Sequence, residues 1–153
     1  MTRKPRRARW AANPHSLTAT VTGVLPTPEN LLERQRMTEL QAIEAFAKGY
    51  ATPDDFRVLC DVLNVAETFA RYGIGPEVLQ TCEEVQDILL LCKEQFDDGE
   101  AITVHPSELE ALRTLYALHD LQRQCVDWAW YCRLIEKTAN RIRSAHPDVR
   151  ELV

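Results

Sequence analysis

The sequence predicts an all-α fold: an antiparallel four-helix bundle preceded by an extended basic N-terminal arm. Three observations lead there. Apolar residues recur at spacings of three and four along four separate stretches between residues 28 and 145, the period of a helix with one buried face. Each stretch opens on a proline beside a capping or acidic residue, and the first three close at Gly49, Gly73 and Gly99, as helix ends require. The connections between them are short, and helices joined by short loops pack antiparallel.

The first helix is expected over residues 28–48. Thr27 is placed to cap it, Pro28 suits the first helical position and Glu29 favours the positive helix end. Leu40, Ile43, Ala47 and Tyr50 mark its expected buried stripe. The second helix opens on Thr52-Pro53-Asp54-Asp55, a cap, a proline and two acids in one turn. Phe56, Leu59, Leu63, Ala66 and Ala70 line its inner face, and Gly73 ends it. The third begins at Pro76-Glu77 and runs to about Phe96, with Val78, Cys82, Val85, Leu89, Cys92 and Phe96 on one stripe. Ile88, Leu90 and Leu91 broaden that stripe, and Asp97-Asp98-Gly99 breaks the helix.

Ile102-Thr103-Val104 reads as a short extended segment whose candidate partner is Thr18–Thr22. The fourth helix is expected from Pro106 to Ala145, with Ser107 and Glu110 forming a capping box. Leu109, Leu112, Leu115, Tyr116, His119, Gln122 and Val126 follow its inner face, continued by Ala129, Cys132, Ile135 and Ala139. A single helix of that length measures ~60 Å against ~30 Å for its neighbours. A break or a protruding end is therefore expected near Asp127–Tyr131. The domain boundaries follow: residues 1–26 form the arm and residues 27–153 the helical bundle domain. The arm is punctuated by Pro5, Pro14 and Pro26, and its second half is expected to pack on the body through Leu17, Val21, Val24 and Leu25.

Composition narrows the function classes. The chain has 153 residues, 45% hydrophobic and 27% charged, which is ordinary globular usage. No apolar run approaches the ~18–20 residues of a membrane span, and no apolar segment follows the Arg-rich start as a secretory signal requires. The expectation is a cytoplasmic protein without a membrane partner. Five cations and no carboxylate stand in residues 1–9, leaving 13 cations against 23 carboxylates in the rest. A basic arm on an acidic body seeks an anionic partner, and the body itself is no broad nucleic-acid face.

Cys60, Cys82, Cys92, Cys125 and Cys132 contain no C-x-x-C pair. They read as small hydrophobes in a reducing compartment. Cys125 and Cys132, seven apart, are expected on one helix face, which is half of a metal site; no metal and no cofactor is expected. G-x-S-x-G, P-loop, dinucleotide and H-E-x-x-H motifs are all missing. So is Glu-x-x-His, which a di-iron bundle needs. No catalytic residue is assigned, and a non-enzymatic protein is expected.

Three groups of residues remain. Asn64 and Glu67 on the second helix can face His119 on the fourth as a buried polar cluster. Glu67 with His119 has the chemistry of an acid–base pair, the enzymatic alternative, but such a pair more often fixes helix register. Arg3, Lys4, Arg6, Arg7, Arg9 and Trp10 combine phosphate-neutralising cations with a stacking ring, suited to nucleic acid or to an acidic protein groove. Trp128, Trp130 and Tyr131 are expected to form a protein interface. Positions two apart on a helix point ~200° apart, so one of the two tryptophans must face outward unless the leader covers it. That outward ring, on a protruding helix end, also suits a homodimer.

The Arg-rich start leading into Ala12-Asn13-Pro14, the run Val62-Leu63-Asn64-Val65-Ala66-Glu67 and the run Leu118-His119-Asp120-Leu121-Gln122 resemble small helical proteins encoded by temperate phages and prophages of proteobacteria. The resemblance implies an accessory protein that acts by binding host or phage components, and it carries over no active-site residue. The resulting expectation is a non-enzymatic interaction protein that binds and modulates a host macromolecule, such as a defence or transcription component. Direct nucleic-acid binding through the arm is the alternative.

Overall fold

The computed structural model of the chain describes residues 28–144. These form five helices and no strand: α1 (Pro28–Lys48), α2 (Pro53–Arg71), α3 (Val78–Asp97), α4 (Pro106–Gln124) and α5 (Trp128–Arg143). The expected basic arm, the Thr27 cap and Thr18–Thr22 lie outside the described residues. No described helix is long and apolar enough to cross a membrane.

The start signal of α2 acts as its sequence predicts. The Asp55 amide donates to Thr52 Oγ1 at 3.3 Å, and the Thr52 amide donates to Asp55 Oδ2 at 2.8 Å. This reciprocal box satisfies two amides that a helix start otherwise leaves unpaired. The box predicted for α4 lies two residues earlier than expected. Pro106 takes the first helical position, so the Glu108 carboxylate accepts from the His105 amide at 2.8 Å, in place of Ser107 and Glu110. Ile102-Thr103-Val104 is irregular and pairs with no strand among the described residues. Ile102 is buried in the core, and the Thr103 amide donates to the Gln95 side-chain oxygen at 3.0 Å.

The main core is built from α1 to α4. Phe56, Leu59, Leu63 and Ala66 of α2 meet Val78, Cys82, Val85, Leu89 and Cys92 of α3, and Leu112 and Leu115 of α4. Those faces are the ones the apolar spacing marks, save Leu91 and Phe96 of α3, which are exposed. The face of α1 is rotated from its predicted position. Ile43 is buried, but Leu40 is 46% exposed, and Ala47 and Tyr50 also face solvent. Leu31, Glu39, Ala42, Ala45 and Phe46 are buried with Ile43. The rotation puts a carboxylate inside, which no apolar pattern can announce.

The expected fourth helix is two helices, divided by a break at the place where a break or a protruding end is expected. Alpha-helical structure stops at Gln124 and resumes at Trp128, where Asp127 caps α5 by accepting from the Trp130 amide at 2.7 Å. The end does not protrude. α5 turns back onto α2, and Tyr131 and Leu134 join Val65 and Phe69 in a second core. The break resets the helical phase: Tyr131, Leu134 and Thr138 are buried, where the continued pattern predicted Ala129, Cys132, Ile135 and Ala139. It also separates Cys125, exposed at the break, from Cys132, so the two do not share one helix face. The protruding end invoked for a homodimer is absent among the described residues.

Asp127→Ala removes the side-chain acceptor that starts α5. It is expected to cost about 1 kcal/mol, read as a lower urea midpoint at unchanged slope.

Candidate functional site

The inner face of α4 changes character along its length. Leu112 and Leu115 are followed by His119, Gln122 and Arg123, all buried. Burying polar groups is costly unless each is bonded, and most of these are. Arg123 forms a fork with Glu39 of α1, Nη1 to Oε1 at 2.7 Å and Nη2 to Oε2 at 2.8 Å. Their side chains are 0% and 3% exposed. Nη2 also reaches Asp120 Oδ1 at 3.2 Å, which accepts from Arg36 Nε at 2.6 Å. Burial pushes the Glu39 carboxyl up, and the bonds and charge of Arg123 offset only part of that rise. Burial also raises the Asp120 carboxyl, but Arg36 and Arg123 outweigh it and hold Asp120 below its ordinary value.

Gln122 organises the other half. Its amide nitrogen donates to the carbonyls of Ala66 at 3.2 Å and Ile74 at 2.8 Å. The first lies in α2 and the second in the turn to α3. That turn tolerates little: Gly75 has φ +64°, and a Cβ there would meet Val78 at 3.4 Å and Gln122 at 3.5 Å. With both amide hydrogens engaged, Gln122 Oε1 must act as an acceptor, and it lies 2.9 Å from His119 Nδ1. His119 therefore carries its proton on Nδ1 and a lone pair on Nε2. Burial, with a smaller push from Arg123, lowers its pKa to about 3, so the ring is neutral. Nε2 is buried and has no bonding partner among the described residues.

The cluster predicted from sequence divides into two networks. Glu67 does not bond His119. It accepts from Arg71 at 2.9 Å and from Arg141 of α5 at 3.2 Å, and Arg141 also donates to the Asn64 backbone carbonyl at 3.1 Å. The reason is α5 itself, which covers the face of α2 that the sequence leaves open toward α4. Two of the Arg141 nitrogens, Nε and Nη1, are buried without partners among the described residues.

The predicted aromatic interface is also rearranged. Tyr131 is 2% exposed, so it is a core residue; its hydroxyl donates to Gln35 Oε1 at 2.6 Å, tying α5 to α1. Trp128 stacks on Tyr131 with centroids 5.3 Å apart. Trp128 and Trp130 are both half-buried, in place of one inward and one outward ring. The surface that does form adds three residues: Trp130 meets the edge of Tyr72, Arg133 lies 5.4 Å over Trp130, and Lys137 lies 4.8 Å over Tyr72. Tyr72 is 49% exposed. The spacing of Trp130, Arg133 and Lys137 is a helical-face signal available in the sequence. Nothing in one sequence links Tyr72 to them, or Glu39 to Arg123. The basic arm residues lie outside the described residues.

No family model, no curated protein and no solved structure matches the chain.

Removing one partner of the buried fork, by Glu39→Leu or Arg123→Leu, is expected to cost about 3–5 kcal/mol in urea unfolding, with much of it recovered in the double variant. His119 supplies a pH test. Its folded pKa lies below the unfolded value near 6.5, so the unfolded chain takes up the proton first and stability falls as pH drops from about 6.5 toward 3. This single group contributes a slope of at most about 1.4 kcal/mol per pH unit. His119→Asn is expected to flatten the stability profile between those limits and leave it unchanged above them.

Proposed function

We propose that the protein is a non-enzymatic helical interaction module, an accessory factor of the temperate-phage kind that binds and modulates a host macromolecule. The observation that carries this reading is the face made by Tyr72, Trp130, Arg133 and Lys137, where cations sit over partly exposed aromatic rings. Tyr, Trp and Arg dominate the energetics of protein interfaces because they bring large area with few torsions and bond at their polar ends. The buried polar residues support a platform role. Glu39, Arg123, Asp120, Gln122 and Glu67 bond residues on other helices, and so hold the elements in place. In this reading α1 to α4 are an antiparallel bundle, α5 laid on α2 carries the contact face, and the basic arm of Arg3, Lys4, Arg6, Arg7, Arg9 and Trp10 is a second contact.

One observation favours nucleic acid as the second reading. Arg133, Lys137 and Arg143 give α5 an excess of cations on an otherwise acidic body, beside rings on which bases can stack.

Capture from nuclease-treated bacterial lysate tests the choice, using the full chain and its Arg133→Glu/Lys137→Glu variant. The expected result is a discrete protein retained by the wild type and depleted at least tenfold by the variant, a change of about 1.4 kcal/mol. Equal retention by both removes this face as the contact. Capture that disappears with nuclease, and that falls steeply with salt in its absence, selects nucleic acid.

A further inference from the structure

A pocket of about 140 Å³ opens between α1, α2 and α4 and shares no lining residue with the aromatic face. Val58, Val62 and Val65 of α2 give it an apolar wall, Asp61 stands where it meets solvent, and buried His119 and Glu39 line its inner part. His119 lines the pocket, and its Nε2 is buried with no hydrogen-bond partner among the described residues.

The chemistry facing this space is one-sided. Nε2 accepts and cannot donate, given the tautomer that Gln122 imposes. Asp61 makes no hydrogen bond or ion pair among the described residues. The other charges nearby are matched: Glu39 by Arg123, and Asp120 by Arg36 and Arg123. Gln35, at the rim, accepts from the Tyr131 hydroxyl through Oε1 and carries no charge. What is left is a single unmatched negative charge, a deep acceptor and an aliphatic wall. At ~30 Å³ per water the volume holds four or five water-sized groups, the size of a short alkyl chain with a polar head. Burial raises the Asp61 carboxyl, a cost that a bound positive charge would remove.

We propose that this pocket receives a lysine- or arginine-type cation on its aliphatic stem, the head donating to Asp61 and to His119 Nε2 and the stem lying on Val58, Val62 and Val65. Such a cation has two sources. One is the chain's own run Arg3, Lys4, Arg6, Arg7 and Arg9; the other is a basic segment of a partner. The site is independent of the aromatic face, and failure of either leaves the other standing.

The His119 ring nitrogens report directly, through two-bond proton–nitrogen correlation spectra of the full-length protein. The probes are N-acetyl-lysinamide and N-acetyl-argininamide at up to tens of millimolar, with N-acetyl-norleucinamide supplying the lysine stem without its ammonium. The proteins are the wild type, Asp61→Asn, and a full-length variant carrying Arg3→Gln, Lys4→Gln, Arg6→Gln, Arg7→Gln and Arg9→Gln. A cationic probe is expected to move the Nε2 resonance, and Asp61→Asn to weaken that response at least tenfold in the protein that shows it. A response in the wild type assigns the pocket to a cation from outside. A response only in the arm-neutralised chain assigns it to the chain's own arm. The proposal is overturned if neither protein responds, if norleucinamide acts as well as lysinamide, or if Asp61→Asn binds undiminished.

Discussion

The fork between Arg123 and Glu39 is the constraint around which α1 and α4 are arranged. Two full charges are held out of water, and that is tolerable only while each faces the other at 2.7 and 2.8 Å. The pairing sets the rotation of α1 about its own axis. With Glu39 inward, Leu40 turns outward and Leu31, Ala42 and Phe46 turn inward. An apolar pair of similar volume would hold these helices as tightly. What the ion pair adds is discrimination, because a rotated α1 would leave a guanidinium buried without its counter-charge.

His119 and Gln122 do the same for the other side of α4. Gln122 reaches into α2 and into the turn before α3, fixing three elements through one amide. His119 is turned by Gln122 and packed edge-on against Phe69, whose other neighbour is Tyr131 of α5. Tyr131 in turn bonds Gln35 of α1. A chain of contacts therefore runs from α1 through α5 and α2 to α4. It explains why the reversal at residues 125–127 matters: without it Phe69 and Val65 would lose their cover, and the second core would not exist. The reversal also places Arg141 where it can hold Glu67, and it brings Trp130, Arg133 and Lys137 alongside Tyr72.

The apolar faces of α2 and α3 were legible because their inner residues are nearly all hydrophobic and repeat at helical spacing. The α2 cap was legible because Thr52 and Asp55 act locally on their own backbone. The inner face of α4 was read correctly through Gln122, including the buried His119. The site was legible only in part. The sequence points to His119, but with Glu67 and Asn64 as companions, whereas its bonded neighbour is Gln122 three residues along the same helix. The aromatic pattern puts Tyr131 at an interface, and it lies in the core. Glu39 and Arg123, 84 residues apart, look like ordinary surface charges in isolation.

The amino-acid sequence alone dictates that the chain is helical, where α1, α2 and α3 end and where α4 begins, and which faces of α2, α3 and α4 turn inward. Each of those follows from neighbours within one or two turns, through backbone capping and the period of apolar side chains. The rotation of α1, the path of α5 and the partners of each buried polar group emerge only when the helices pack. Those choices depend on charges and hydrogen-bonding groups finding one another across helices. A buried ion pair and a surface charge are written with the same letters, and burial alone separates them.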